Sequence, residues 1–380
     1  MKNTNVLVVG IVLAMVAAFA GCGGSTAPII NTTTPPPTPG KVAITCVDHI
    51  QVGVMSPATY VCTASETVAW SVSNTSLATI SSGGVLAPNA TTTGVVTVTA
   101  TAITGSDTAA TATVKVVDWI LYATSPGEFI MNPDGSGAQQ VLPINSDCEA
   151  FSWSYDHLEF ICDNSAGTTI AQFTVYSTDG TMSGTKELYT LNLNAIGGLD
   201  GAYYPSFSPD QSKIVFTGLA KANVNGVNTD VEGTWTININ GSGLIELSTE
   251  PYGDGINIGK PRFSPDGKEV IYQKSSNVWL MNAADGSNQH QLVSATSGNG
   301  IFSLNMTKLY YTNSTGSFIA NADGSNPTLI PLSAGGTVYG VSPNGTSIVL
   351  WNINSGTISV ANADGSNLKQ IASAAGNPTW

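Results

Sequence analysis

Charge is what this chain has least of. Only 10% of its 380 residues are charged, and 12 basic residues face 25 acidic ones for a net charge of −13; ordinary soluble proteins are about a quarter charged. A chain so short of cations is a poor partner for nucleic acid, whose phosphates are neutralised by clustered Lys and Arg. Histidine is equally sparse, with only His49, His157 and His290. Neither a Gly-x-Ser-x-Gly elbow nor a His-Glu-x-x-His zinc site occurs, so these hydrolase and metalloprotease signatures are excluded. Ser183-Gly-Thr-Lys186 matches Ser-x-x-Lys only by chance in a Ser/Thr-rich stretch. No apolar run reaches the ~20 residues that span a bilayer. What is present is 42% hydrophobic residues with 40 Gly and 19 Pro. That suffices for packed cores, so the low charge reflects a Ser/Thr/Asn-rich surface rather than disorder.

Lys2, the apolar stretch 6–19 and the small residues Ala20-Gly21 before Cys22 have the layout of an export signal. A Cys after two small residues resembles the bacterial lipobox. The resemblance implies cleavage before Cys22 and diacylation of its thiol, so that the membrane is engaged through the lipid alone. By the same resemblance Gly23 stands where lipoproteins retained in the inner membrane carry Asp, which implies outer-membrane sorting, facing either the periplasm or the medium. Residues 1–21 are thus read as a lipoprotein signal peptide. Residues 22–40, carrying five Pro and no charge, are read as an extended tether.

An oxidising destination sets the meaning of the remaining cysteines. Cys46, Cys62, Cys148 and Cys162 are expected to form two disulfides. Three connectivities are open, and the spacings favour Cys46 with Cys62 and Cys148 with Cys162. The second pair is symmetric about Tyr155, with 154–157 as a turn between the runs 150–153 and 158–161. Metal binding is the weaker reading, because there is no Cys-x-x-Cys and His157 lies at the turn.

Residues 41–117 hold short alternating runs rich in Val and Thr, among them Val68-Ala-Trp-Ser-Val72 and Val95-Val-Thr-Val-Thr-Ala100, which predict a small β-sandwich. The segment 68–102 resembles bacterial Ig-like group 2 domains in its tryptophan strand, its Ser-Asn-x-Ser-x-Ala-Thr-Ile hairpin and the Gly before a Val/Thr strand. The opening half departs from that pattern, with Cys46 and Cys62 in place of apolar residues. Trp70 alternates with Val68 and Val72 and is expected in the core rather than exposed for stacking on a sugar.

The rest of the chain, 118–380, is repetitive. Asn132-Pro-Asp-Gly-Ser136 returns as Asn282-Ala-Ala-Asp-Gly-Ser287, Asn321-Ala-Asp-Gly-Ser325 and Asn362-Ala-Asp-Gly-Ser366, with looser copies at 177–181 and 238–242. A second marker, aromatic-Ser-Pro-Asp, appears at Phe207 and Phe263, degrades at Trp153, Phe302 and Val341, and leaves Trp380 as its last trace. Apolar runs such as Lys213-Ile-Val-Phe-Thr217 lie between the markers, so each unit of ~40 residues holds four short strands, here a to d. Such a unit is the signature of a propeller blade. The repeats resemble the TolB-type, WD-like propeller repeat, which implies an all-β, six-bladed propeller. The domain opens at a strand b, Trp119-Ile-Leu-Tyr122, and Asn377-Pro-Thr-Trp380 supplies the missing strand a, so the two are expected to pair and close the ring.

The Asp-Gly-Ser repeats read as tight turns, each with about one carboxylate where calcium wants six to eight oxygens; no metal or other cofactor is expected. Long connections at 218–233, 192–204 and 249–260 fall by strand parity on one face. There Tyr203, Tyr204 and Tyr252 with Asp200, Asp230, Glu232 and Asp254 are expected to form an aromatic, acidic docking patch, the alternative being an unstructured insertion. The reading is a non-catalytic, lipid-anchored envelope protein that binds a protein partner, TolB-type resemblance implying protein recognition. The alternative is a polysaccharide- or peptidoglycan-binding surface module, with hydrolysis by two channel carboxylates left open.

Overall fold

The computed structural model describes residues 40–380 except 53–59, 90–92, 105–106, 126, 144–147, 149, 165–170, 225–226, 253–257, 295–299, 304 and 332–335. Cys22 and residues 1–39 lie outside the described residues.

Two sheets share one core in the N-terminal part. Strands His49–Gln51, Ala110–Val117, Gly94–Ala102 and Val68–Val72 form the first sheet, and Tyr60–Val61, Val85–Pro88 and Ala78–Ile80 form the second. Strand alternation sorts the side chains. Val96, Val98 and Ala100 are fully buried, while Val95 just before them is 58% exposed. They meet Ile50, Leu86, Val114 and Val116, with Trp70 half-buried at the margin. The Cys46–Cys62 disulfide lies beside the short pair Ile44–Thr45 and Thr63–Ala64.

Beyond this sandwich, the described residues form six antiparallel four-stranded sheets arranged as propeller blades. The innermost strands, which contact one another around a central channel, are Phe151–Trp153, Gly201–Phe207, Ile258–Phe263, Gly300–Phe302, Thr337–Val341 and Ala375–Thr379. The last belongs to blade 1. Ala375–Thr379 pairs antiparallel with Ile120–Thr124, placing Thr379 opposite Leu121. Trp380 Nε1 donates to Asp118 Oδ1 at 2.7 Å, so the expected ring closure is made. Apolar faces that no blade could cover alone are buried between neighbours. Phe173 of blade 2 meets Phe216 of blade 3 edge-on at 5.1 Å, among Ile161, Ile214 and Ile237. A fully buried Phe or Ile of this kind contributes about 1.5–3 kcal/mol.

Both repeated motifs are turn devices. At Phe207-Ser-Pro-Asp, Ser208 Oγ donates to Asp210 Oδ1 at 2.7 Å and accepts the Lys213 amide at 2.9 Å, fixing the a to b turn. Ser154, Ser264, Ser303 and Ser342 repeat the first of these bonds with Asp156, Asp266, Asn305 and Asn344. At Asp323-Gly-Ser325 the carboxylate accepts the Ser325 amide at 2.9 Å, and Gly324 takes φ +79°, which suits glycine. These carboxylates are engaged by their own turns. Cys148 and Cys162 are joined across the expected blade 2 hairpin, Phe151 standing opposite Cys162.

Residues 218–233 depart from expectation. They are not a loop, because Lys213–Val224 pairs with Val227–Asn238 without a break from Lys213 opposite Asn238 to Val224 opposite Val227. The alternation continues through the insertion, and Asn225-Gly226, the commonest two-residue hairpin dipeptide, stands between the strands in the sequence. The stretch 192–204 is also shorter than expected. Asn192 caps the helix Leu193–Gly197 by accepting the Ala195 amide at 3.0 Å, and strand Gly201–Phe207 then takes Tyr203 and Tyr204 into the blade.

The sandwich seats on the face that carries the a to b turns. Tyr60 donates its hydroxyl to the Asp156 carbonyl at 2.6 Å, and a ring nitrogen of His49 lies 2.9 Å from the His157 carbonyl. Gln51 spans the junction, donating to Asp118 at 3.0 Å and accepting the Trp119 amide at 3.2 Å. Both His49 and Tyr60 are fully buried there.

Candidate functional site in the propeller channel

The aromatic that opens each turn, or Val341 in its place, faces a blade neighbour, so strand alternation sends the residue before it into the channel. Those residues are Ser152, Ser206, Arg262, Ile301, Gly340 and Thr379, and all six line the channel. Five are small or apolar. The sixth is the only arginine of the chain.

Arg262 stands between two chambers. The one on the face of the b to c connections has a volume of about 310 Å³, and the one toward the a to b turns about 110 Å³. Tyr203, Tyr204, Lys260, Tyr339, Trp351 and Asn377 line the larger, together with the hydroxyls of Ser152, Ser206 and Thr379. Tyr155, His157 and Trp153 line the smaller. Ser152 Oγ donates to the Pro205 carbonyl at 2.9 Å and ties blades 2 and 3 together at the waist.

The wall of the larger chamber is built from irregular backbone. Tyr204, Lys260 and Asn377 hold φ of 54°, 48° and 46°, and each directly precedes a proline, where extended conformers are preferred. Each also falls in a register shift of its blade. A left-handed non-glycine residue costs of order 1–3 kcal/mol, and strain of this kind gathers at ligand sites. Here it turns three side chains of equivalent position toward one chamber.

The chamber is cationic in an acidic protein. Lys260 Nζ lies 5.5 Å from the centre of the Tyr339 ring, which stands edge-on to Trp351 at 5.4 Å. Trp351 Nε1 donates to the Ala375 carbonyl at 2.8 Å, fixing that wall. Among the described residues no hydrogen bond or ion pair reaches the Arg262 guanidinium. Burial pushes its pKa down, and burial with the adjacent guanidinium lowers that of Lys260. Burial also raises Tyr339 to about 12, so its hydroxyl stays protonated. In the smaller chamber burial drives His157 down to about 3, leaving a neutral ring stacked on Trp153. The carboxylate on the larger chamber, Asp163, is turned to backbone, accepting the Ala150 amide at 2.7 Å and the Tyr204 amide at 3.2 Å.

The expected docking patch divides. Tyr203 and Tyr204 belong to the channel wall. Asp230 stays outside on the long hairpin, paired with Lys221 at 2.8 Å, and Lys221 also reaches Asp200 at 3.4 Å. Tyr252, 56% exposed, packs its backbone on the hairpin by donating its amide to the Asp230 carbonyl at 2.8 Å. Half-buried Glu232 accepts the Ile258 amide at 2.9 Å, and burial raises its pKa. Asp254 lies outside the described residues. Lys260, Arg262, Tyr339 and Trp351 carry no linear motif. The signal for them was a lone arginine at the channel-facing step of the repeat.

No family model and no curated protein matches this sequence. Solved structures do. A TolB candidate from Agrobacterium tumefaciens is similar at 15% identity and a TM-score of 0.43, over 67% of this chain and 88% of that one. The periplasmic gluconolactonase PpgL of Pseudomonas aeruginosa is similar at 14% identity and a TM-score of 0.43, over 67% and 82%. A 6-phosphogluconolactonase candidate from Bacteroides uniformis gives 14% and 0.42, over 67% and 94%. The likeness is one of fold, a β-propeller. It corrects one expectation. The absence of hydrolase motifs was read as absence of catalysis, yet two of these similar propellers are named for lactonase activity. A propeller assembles its site from separate blades, so a missing linear motif excludes nothing about catalysis.

Proposed function

We propose that this is an exported, lipid-anchored envelope protein whose propeller captures a small ligand in the larger channel chamber. The observation that carries the reading is the convergence of Tyr204, Lys260 and Asn377, each in strained backbone before proline, on one chamber of about 310 Å³, the size at which small-molecule sites begin. Disulfides in both parts of the molecule support an oxidising compartment. Cys22 is the proposed attachment point for the lipid. To test capture, the full chain is incubated with a small-molecule extract, desalted, and its retained compounds identified by mass spectrometry. A compound retained by the parent and lost in Trp351→Ala supports the reading. Nothing retained, or retention indifferent to Trp351→Ala, overturns it.

A protein partner is the second reading, and the long hairpin favours it. Val227 near its tip is 64% exposed and Tyr252 at its flank 56% exposed, beside the charged trio Asp200, Lys221 and Asp230. Shortening the hairpin by residues 221–230 is expected to abolish capture of such a partner and leave ligand retention intact.

A further inference from the structure

Only 12 of 380 residues are cationic, and two of them stand two positions apart on one innermost strand, lining one chamber. Structural explanations for Arg262 are absent among the described residues. It closes no salt bridge, caps no carbonyl, and sits in a ring whose other members are Ser152, Ser206, Ile301, Gly340 and Thr379. A channel waist needs no guanidinium for packing, since the five other blades fill the same position with small or apolar residues. A desolvated cation without a counter-charge is unfavourable unless something completes it.

Lys260 compounds the problem. It is carried into the same chamber by left-handed backbone, stands over Tyr339, and meets no carboxylate among the described residues. Among the described residues the one carboxylate lining the chamber, Asp163, accepts the Ala150 and Tyr204 amides. Two cations, a guanidinium fork at the floor and an ammonium on the wall, are thus aimed at a cavity bounded by hydroxyls and aromatic rings.

We infer that the chamber is an anion site: Arg262 and Lys260 together bind the carboxylate or phosphate head of a small organic ligand, whose body lies between Tyr204 and the Trp351 wall. This rests on the channel-capture reading above and adds the ligand's charge and orientation. Arg262 supplies the planar, two-pronged recognition that carboxylate and phosphate share, and Lys260 supplies a point charge. Ser206 and Thr379 offer neutral hydroxyl donors beside the head. The waist ring and the smaller chamber of about 110 Å³ leave the body no room beyond Arg262, so the head enters first.

The test follows the thermal unfolding midpoint of the full chain against rising inorganic phosphate in one arm and acetate in the other, at constant ionic strength set with sodium chloride. A bound anion raises the midpoint by mass action. The expected result is a saturable rise for the parent in at least one arm, which names the preferred head, no rise for Arg262→Gln in either, and a half-saturating concentration about tenfold higher for Lys260→Gln. Arg262→Gln is also expected to be at least as stable as the parent without anion, since it removes an uncompensated charge. A parent that responds to neither anion, or responds no more than Arg262→Gln, overturns the inference, as does marked destabilisation of Arg262→Gln without anion. If it fails while the extract experiment still returns a Trp351-dependent compound, the capture reading stands and the ligand is uncharged.

Discussion

Asp118 gives the sharpest quantitative test of the junction. Its Oδ1 accepts from Gln51 Nε2 of the sandwich at 3.0 Å and from Trp380 Nε1 of the closing end at 2.7 Å. Burial outweighs both bonds and raises the carboxyl from 3.8 to about 6. The folded chain therefore holds this proton more tightly than the unfolded one. Stability is greatest where Asp118 is protonated in both states, falls as pH rises from 3.8 to about 6, and stays low above that. The displacement corresponds to about 3 kcal/mol against the folded state at pH 7.5. Asp118→Asn keeps an acceptor oxygen for Gln51 and Trp380 and removes the charge. It should be more stable than the parent by about 3 kcal/mol at pH 7.5 and by only about 0.5 kcal/mol at pH 4. Urea unfolding at both pH values, followed by tryptophan fluorescence, measures the difference. A variant less stable than the parent at pH 7.5, or a difference that does not change with pH, would refute the reasoning.

Two further outcomes follow from turn geometry. Gly180 holds φ +88°, and a Cβ there would lie 2.6 Å from the Trp119 ring, so Gly180→Ala should cost about 1–3 kcal/mol, seen as a lower thermal midpoint. Asp285 accepts the Ser287 amide and hydroxyl at 3.0 and 2.7 Å, and these bonds hold its pKa below the usual carboxylate value. Asp285→Ala should lower the melting midpoint at neutral pH. Because the parent's advantage is present above the unfolded carboxyl pKa and lost as pH falls through the depressed folded one, the two curves should converge in acid.

The architecture was legible because each repeat states its own turns. Ser-Pro-Asp and Asp-Gly-Ser encode hydrogen bonds spanning a few residues, and such local chemistry survives without knowledge of tertiary contacts. The six-blade count and the pairing of the 377–380 strand with the 119–122 strand followed from the phase of those markers, while the register, Thr379 opposite Leu121, came from the structure. The 218–233 insertion was misread because its length drew attention away from its content, although Asn225-Gly226 and the alternation around it already described a hairpin. The chamber was not legible for a different reason. Lys260 and Arg262 acquire meaning only when a ring of six strands sets them opposite Tyr204, Tyr339 and Trp351, and no spacing along the chain expresses that. The proline after Tyr204, Lys260 and Asn377 was visible, but not the backbone reversal it accompanies.

The partnership of Ala375–Thr379 with Ile120–Thr124 also sets an order of events in time. Thr124 and Ala374, bonded through the threonine hydroxyl, are 250 residues apart, whereas neighbours inside the other five blades are separated by one turn. As the chain emerges N-terminus first, the sandwich and the middle blades have all their strands early, while the first blade waits with three. Drawing its last strand back costs about 5 kcal/mol of chain entropy, and until then the inner side of Ile120–Thr124 offers open backbone to any passing strand. Synthesis thus leaves a window in which a second copy can supply the missing strand, and slowing the emergence of Ala375–Thr379 should widen it.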